Sequence, residues 1–180
     1  LVHFGREIFS SFSERVSSVF SESETASVIK AIRTRHPGFQ LEEFLHLLRS
    51  YIVPDILESF VTGDLVSLRR WCSEGAYKVL EATLNPSQTA GHVFEGKVLD
   101  IRDLDMIAAK MIEDHPVLVV SLTAQQLFCV KDIKGELVDG SESGPENVQY
   151  IMAFTGDETE KNPSGWSLVE IAIRGRNSTW

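Results

Sequence analysis

Leu1, Val2, Phe4, Ile8, Phe9, Phe12, Val16, Val19 and Phe20 fall within one arc of about 160° when the chain is wound at about 100° per residue. Arg6, Glu7, Ser10, Ser11, Ser13, Glu14, Arg15, Ser17 and Ser18 fill the other side. The pattern predicts a strongly amphipathic helix. Its Phe-rich face suits a lipid interface, a partner's groove or the chain's own core. Burying a large apolar side chain is worth about 1.5–3 kcal/mol in any of the three, so energy does not choose among them. A second helix opens on the capping-box pair Ser21 and Glu24, runs through Val28, Ile29 and Ile32, and stops at His36-Pro37-Gly38. Its last turns gather Lys30, Arg33 and Arg35. Basic groups there complement the helix dipole, and each would add about 1 kcal/mol of attraction to an anionic lipid surface. Residues 1–36 thus read as an amphipathic helical arm ahead of a core domain over 37–180.

The block from Phe39 to Leu80 holds the longest helical periodicity. Leu41, Phe44, Leu45, Leu48, Tyr51 and Ile52 make one stripe, and Ile56, Leu57, Phe60 and Val61 make another, rotated by more than a quarter turn, with Pro54 between them. A proline inside a helix removes a hydrogen bond and crowds the preceding turn, which predicts a kink or break there. Thr62-Gly63-Asp64 closes one helix and caps the next. Leu65, Leu68, Cys72, Ala76, Val79 and Leu80 give that next helix its buried side, and Asn85-Pro86 stops it.

From residue 91 the period shifts towards two. Four strands are expected over His92–Ile101, Pro116–Val130, Val148–Thr155 and Trp166–Ile173, with Gly96 as a bulge and turns at Lys134-Gly135, Asp139-Gly140 and 162–165. Leu104, Ile107, Met111 and Ile112 suggest a short helix between the first two strands. Helices followed by an antiparallel sheet indicate an α+β fold, a kinked long helix packed on a curved four-stranded sheet. A hollow between the two would be apolar, with Met106, Met111, Phe128, Phe154 and Trp166 as candidate linings.

Composition narrows the function classes. The 180-residue chain has 17 Lys+Arg against 26 Asp+Glu, a formal charge of −9. That opposes a nucleic-acid surface, which needs a basic footprint. Residues 1–36 carry five basic and four acidic side chains, so only the arm faces an anionic partner without repulsion. Cys72 and Cys129 lie in apolar surroundings and read as reduced core residues. No apolar run reaches the ~18 residues of a spanning helix. A start at Leu1 reads as a fragment of a longer precursor.

Catalytic motifs are missing: there is no GxGxxG, Walker A, HExxH, GxSxG or paired CxxC. His3, His36, His46, His92 and His115 are scattered, which argues against a metal site. Asp100, His92, Tyr77 and Glu74 can be nominated for acid–base work, but nothing in their spacing supports it. No catalytic residue, cofactor or metal is expected.

The run Pro54-Asp55-Ile56-Leu57-Glu58-Ser59-Phe60, then Gly63-Asp64-Leu65, Leu68, Trp71-Cys72 and Glu74, resembles the C-terminal domain of the forty-four-kilodalton subunit family of the mitochondrial presequence translocase. Leu99-Asp100-Ile101, Lys110-Met111, the run Pro116 to Ser121, Ala124-Gln125, Lys134-Gly135-Glu136, Asn162-Pro163 and Trp166 follow in the same order, so the resemblance covers residues 38–174. It implies a cone-like, nuclear-transport-factor-like fold around a large apolar pocket. It also implies a non-enzymatic scaffold, peripheral on the matrix face of the mitochondrial inner membrane. Such a scaffold contacts anionic phospholipid including cardiolipin, the translocase channel subunits and incoming preproteins. The matrix seventy-kilodalton heat-shock chaperone is then held through segments mostly N-terminal to this domain. The leading helix pair implied for membrane contact corresponds here to Phe4, Ile8, Phe12, Val16, Val19 and Phe20, with Lys30, Arg33 and Arg35 alongside. The acidic domain departs from broad electrostatic attraction to lipid and leaves most of that task to the apolar face of the first helix. Two other readings stand beside it: a cone-fold protein or enzyme acting on a small apolar ligand, and a related mitochondrial ribosomal subunit, which the charge of −9 opposes.

Overall fold

The computed structural model describes residues 22–156 and 164–178. The helix expected over the first 20 residues, with its whole candidate face, and the N-cap at Ser21 lie outside them. The first described helix, α1 (Glu22–Arg35), buries Val28 and Ile32 completely in the main core. This half of the arm is therefore packed into the domain by the stripe that made it recognisable as a helix.

A continuous helical rod follows, α2 (Leu41–Leu47), a π turn (Leu48–Ile52) and α3 (Val53–Val61). The change of phase at Pro54 is accommodated by widening the helix instead of breaking it. Proline has no N–H to donate, and the Val53 N–H reaches back five residues to the Leu48 carbonyl. The buried positions Phe44, Leu48, Ile52, Ile56 and Phe60 recur every four residues. A pure α-helix drifts about 40° at each such step, and the wide turn absorbs part of the drift. One consequence is that Tyr51, a member of the expected stripe, is 65% exposed.

Gly63, at φ 70°, ends α3, and Asp64 caps α4 (Leu65–Trp71) by accepting from the Ser67 N–H at 3.0 Å. The single helix expected beyond this point is two. Cys72 leaves helical geometry to bridge Leu168, the Ser73 N–H donates to the Leu168 carbonyl at 2.8 Å, and Ser73 caps α5 (Glu74–Thr89). Two further expectations are corrected here. Val79 is exposed, and Pro86 lies inside α5 without stopping it.

Each of the four expected strands contributes to one antiparallel sheet: β2 (Lys97–Ile112), β3 (His115–Leu127), β6 (Glu146–Gly156) and β7 (Trp166–Ser178), in the order β2-β3-β6-β7. A smaller sheet joins β1 (Val93–Phe94), β4 (Cys129–Lys131) and β5 (Leu137–Gly140) in the order β1-β4-β5. The expected first strand is divided at Gly96, whose N–H donates to the Val61 carbonyl at 3.2 Å; a Cβ there would lie 2.5 Å from that oxygen. The second long run divides correspondingly at Phe128, and the pair passes together from one sheet to the other.

No helix separates the first two long strands. Leu104, Ile107, Met111 and Ile112 all belong to β2, which turns through Glu113 and Asp114 straight into β3. The strand carries register shifts at Val98/Asp100, Arg102/Asp105 and Met106/Ala108, and Leu104 is buried while Ile107, Met111 and Ile112 are exposed, so the four do not share the single face a helix would need. Each bulge inserts a residue, so an alternating strand acquires three- and four-residue spacings. Leu118, Val120 and Leu122 of β3 and Tyr150, Met152 and Phe154 of β6 face the helices in the main core. Val117, Val119, Ile151, Ala153 and Ala172 form a second buried cluster from the alternate positions. The fold is α+β.

Candidate functional site

Asp55 is placed by its position one residue after Pro54, on the first turn of α3. Its Oδ2 accepts from Trp71 Nε1 at the end of α4 and lies 3.2 Å from Arg70 Nη2. Three residues further along, Glu58 crosses to the sheet, where its Oε2 accepts from the Val98 N–H at 2.9 Å. These contacts tie the helical rod to α4 on one side and to the start of β2 on the other. Between the ties lies an open groove of about 1010 Å³. Leu47, Arg49, Ser50, Tyr51, Ile52, Pro54, Asp55 and Glu58 line it from the rod, Trp71 from α4, Val98 to Ile101 from β2, and Ser164 from the segment before β7.

The lining combines an apolar floor with a carboxylate border. Tyr51 and Leu99 are exposed large apolar side chains, at 65% and 45%. Asp55, Glu58 and Asp100 supply three acidic groups, and the basic lining residue, Arg49, donates from Nη2 to the Leu104 carbonyl at 3.3 Å. Asp100 is itself paired with Arg102, 3.3 Å away.

The five side chains expected around a hollow are not gathered on this groove. Phe154 and Trp166 pack with Phe44, whose ring lies 6.4 Å from Phe154 and 4.4 Å from Trp166 between centroids, and Trp166 also meets Phe39 at 5.7 Å. Phe128 packs edge-on against Phe94 under the small sheet. Met106 is half-buried against the main core, and Met111 is exposed near the β2–β3 turn. Of the basic trio, Lys30 is exposed on α1, Arg33 Nε donates to the Phe39 carbonyl at 3.4 Å, and Arg35 Nη2 donates to the Asp114 carbonyl at 2.9 Å.

The acid–base nominees are not brought together: the buried His92 Nδ1 has no hydrogen-bond partner among the described residues, and the other three are engaged separately. Tyr77 donates to Glu81, Glu74 pairs with Lys78 and Asp100 with Arg102. Both thiols are free and buried; desolvation pushes Cys72 up to about 12 and raises Cys129 as well. Among the described residues, no group of His, Cys, Asp and Glu is placed to hold a metal ion, and no helix is long and apolar enough to cross a membrane. Sequence periodicity gave no sign of the groove. Asp55 and Trp71 are 16 residues apart on different helices, a spacing with no meaning until the rod and α4 fold back on each other.

Comparison with known proteins gives these residues a context. The Tim44-like domain model matches residues 25–173. The mitochondrial import inner membrane translocase subunit TIM44 of Mus musculus is 32% identical over 173 residues, 96% of this chain. Its namesakes from Homo sapiens and Saccharomyces cerevisiae are 30% and 34% identical over 95% and 89% of this chain. The chain spans 38% of the length of each of these relatives. With the matched stretch running from inside α1 into the last strand, the chain belongs to the Tim44-like domain family.

Proposed function

We propose that this chain is the membrane-docking and translocase-contacting domain of a mitochondrial import-motor anchor. It acts as a scaffold without catalysis, peripheral on the matrix face of the inner membrane, at the exit of the import channel. The observation that carries this reading is family membership over residues 25–173, with relatives named as import translocase subunits along 96% of the chain. The Phe4, Ile8, Phe12, Val16, Val19 and Phe20 face enters a cardiolipin-containing leaflet. Lys30, Arg33 and Arg35 add cationic charge beside it on a helix that Val28 and Ile32 fix to the domain. The matrix seventy-kilodalton heat-shock chaperone is engaged through segments outside this chain.

A domain exchange tests the assignment. When this chain replaces the matching region of yeast TIM44, the chimera, present at the normal level, supports import of matrix preproteins and co-purifies with the translocase. A stable chimera that neither imports nor co-purifies contradicts the proposal.

A further inference from the structure

We infer that side chains set along β2 close the free edge of the large sheet, so that a second copy of the chain cannot add a strand there. The sheet order β2-β3-β6-β7 leaves two edges. β7 is covered at its start, where Cys72 bridges Leu168 and the Ser73 N–H donates to the Leu168 carbonyl at 2.8 Å. β2 is 16 residues long, and Leu99, Ile107, Met111 and Ile112 leave apolar surface exposed along it. A long edge strand with exposed apolar side chains is a template for pairing with another chain. The edges of the small sheet, β1 and β5, are two and four residues long and offer far less.

Between Val98 and Met106, four backbone groups of β2 are taken by side chains. The Val98 N–H donates to Glu58 Oε2 at 2.9 Å and the Leu104 carbonyl accepts from Arg49 Nη2 at 3.3 Å, both partners coming from the helical rod. The Ile101 N–H donates to Asp100 Oδ1 at 2.9 Å and the Met106 N–H to Asp105 Oδ1 at 2.8 Å, so each aspartate satisfies the donor next to it. An incoming strand has to displace these partners before it can build its own ladder, and a carboxylate is a stronger acceptor for an N–H than the neutral carbonyl that would replace it. Backbone shape acts in the same direction. Asp103 sits at φ 53°, in the left-handed region, and the register shifts at Val98/Asp100, Arg102/Asp105 and Met106/Ala108 break the even spacing that a straight partner strand needs.

The test compares two double variants of the whole chain that lose the same charge. Asp100→Ala with Asp105→Ala removes both acceptors, whereas Asp100→Asn with Asp105→Asn keeps an oxygen at each position. At about 100 µM the alanine pair should form β-paired oligomers, read by light scattering after size exclusion and by thioflavin T fluorescence at least about five-fold above that of the native protein. The asparagine pair should match the native protein. Circular dichroism checks that both are folded. A folded alanine pair that keeps the native oligomeric state and the native fluorescence overturns the inference. So does equal self-association of the two pairs, which would assign the effect to lost charge. Hydrogen exchange on the native protein gives a second reading that needs no variant: the Ile101 and Met106 amides should exchange at least about ten-fold more slowly than in an unstructured peptide of the same sequence, and exchange at the peptide rate overturns the inference. The edge involves neither membrane nor translocase, so its failure and a failure of liposome binding are distinguishable.

Discussion

Asp55 joins two helices through one carboxylate, and the two contacts differ in worth. The Trp71 indole is 9% exposed and donates to a charged acceptor, whereas Arg70 and Asp55 pair across half-exposed side chains. Asp55→Ala should therefore cost about 1–3 kcal/mol in chemical denaturation by orphaning the indole N–H. Arg70→Ala should cost no more than about 1 kcal/mol. Asp64 titrates with folding. The Ser67 side-chain and backbone hydrogen bonds hold its carboxyl below the usual 3.8. A depressed folded pKa means its contribution is complete above about pH 4 and is lost as pH falls through the folded value. The melting-temperature gap between the native protein and Asp64→Asn should accordingly close on acidification from pH 6 towards pH 3. The thiols provide a third check: with Cys72 pushed up to about 12 and Cys129 also raised, native protein at pH 8 should resist iodoacetamide. Both should react once it is unfolded.

At the scale of elements, the two breaks in periodicity that the sequence displayed have opposite outcomes. The phase change near Pro54 marks a real device, the π turn, and its effect on which residues face inward was legible as two rotated stripes. The three- and four-residue spacing from Leu104 to Ile112 was misleading, because bulges in a strand and turns in a helix both interrupt strict alternation. The length of the pairing between β2 and β3 distinguishes them, and that pairing is nonlocal. The split at Cys72 was hidden for the same reason: it answers to Leu168, 96 residues away in the chain. Deleting Ser50 tests the π turn. The shortened rod closes to α geometry with Phe44 and Leu48 still turned to the core, because the π turn holds one residue more than an α turn needs. Stability should therefore fall less than on deleting the exposed His46 from α2, which turns Phe44 about 100° from the core and uncovers it at a cost of about 1.5–3 kcal/mol in chemical denaturation.

Across the whole molecule, the main core was legible because its helices and strands declare their buried faces at their own periods. The groove was not, since Tyr51, Asp55, Trp71 and Leu99 come from three elements that meet only in the folded chain. The family resemblance picked out Pro54, Asp55, Glu58 and Trp71 as a run of text, and the fold shows them as neighbours along one groove. The arm divides as well. Val28 and Ile32 are core residues, so deleting residues 1–36 should unfold or strongly destabilise the domain, while deleting 1–20 should leave a cooperative thermal transition. That difference selects the measurement that bears most directly on membrane docking: flotation with cardiolipin-containing liposomes. The intact chain should rise with the vesicles, and folded protein lacking residues 1–20, or carrying Phe12→Asp, should stay at the bottom of the gradient. Equal flotation of all three would contradict the account.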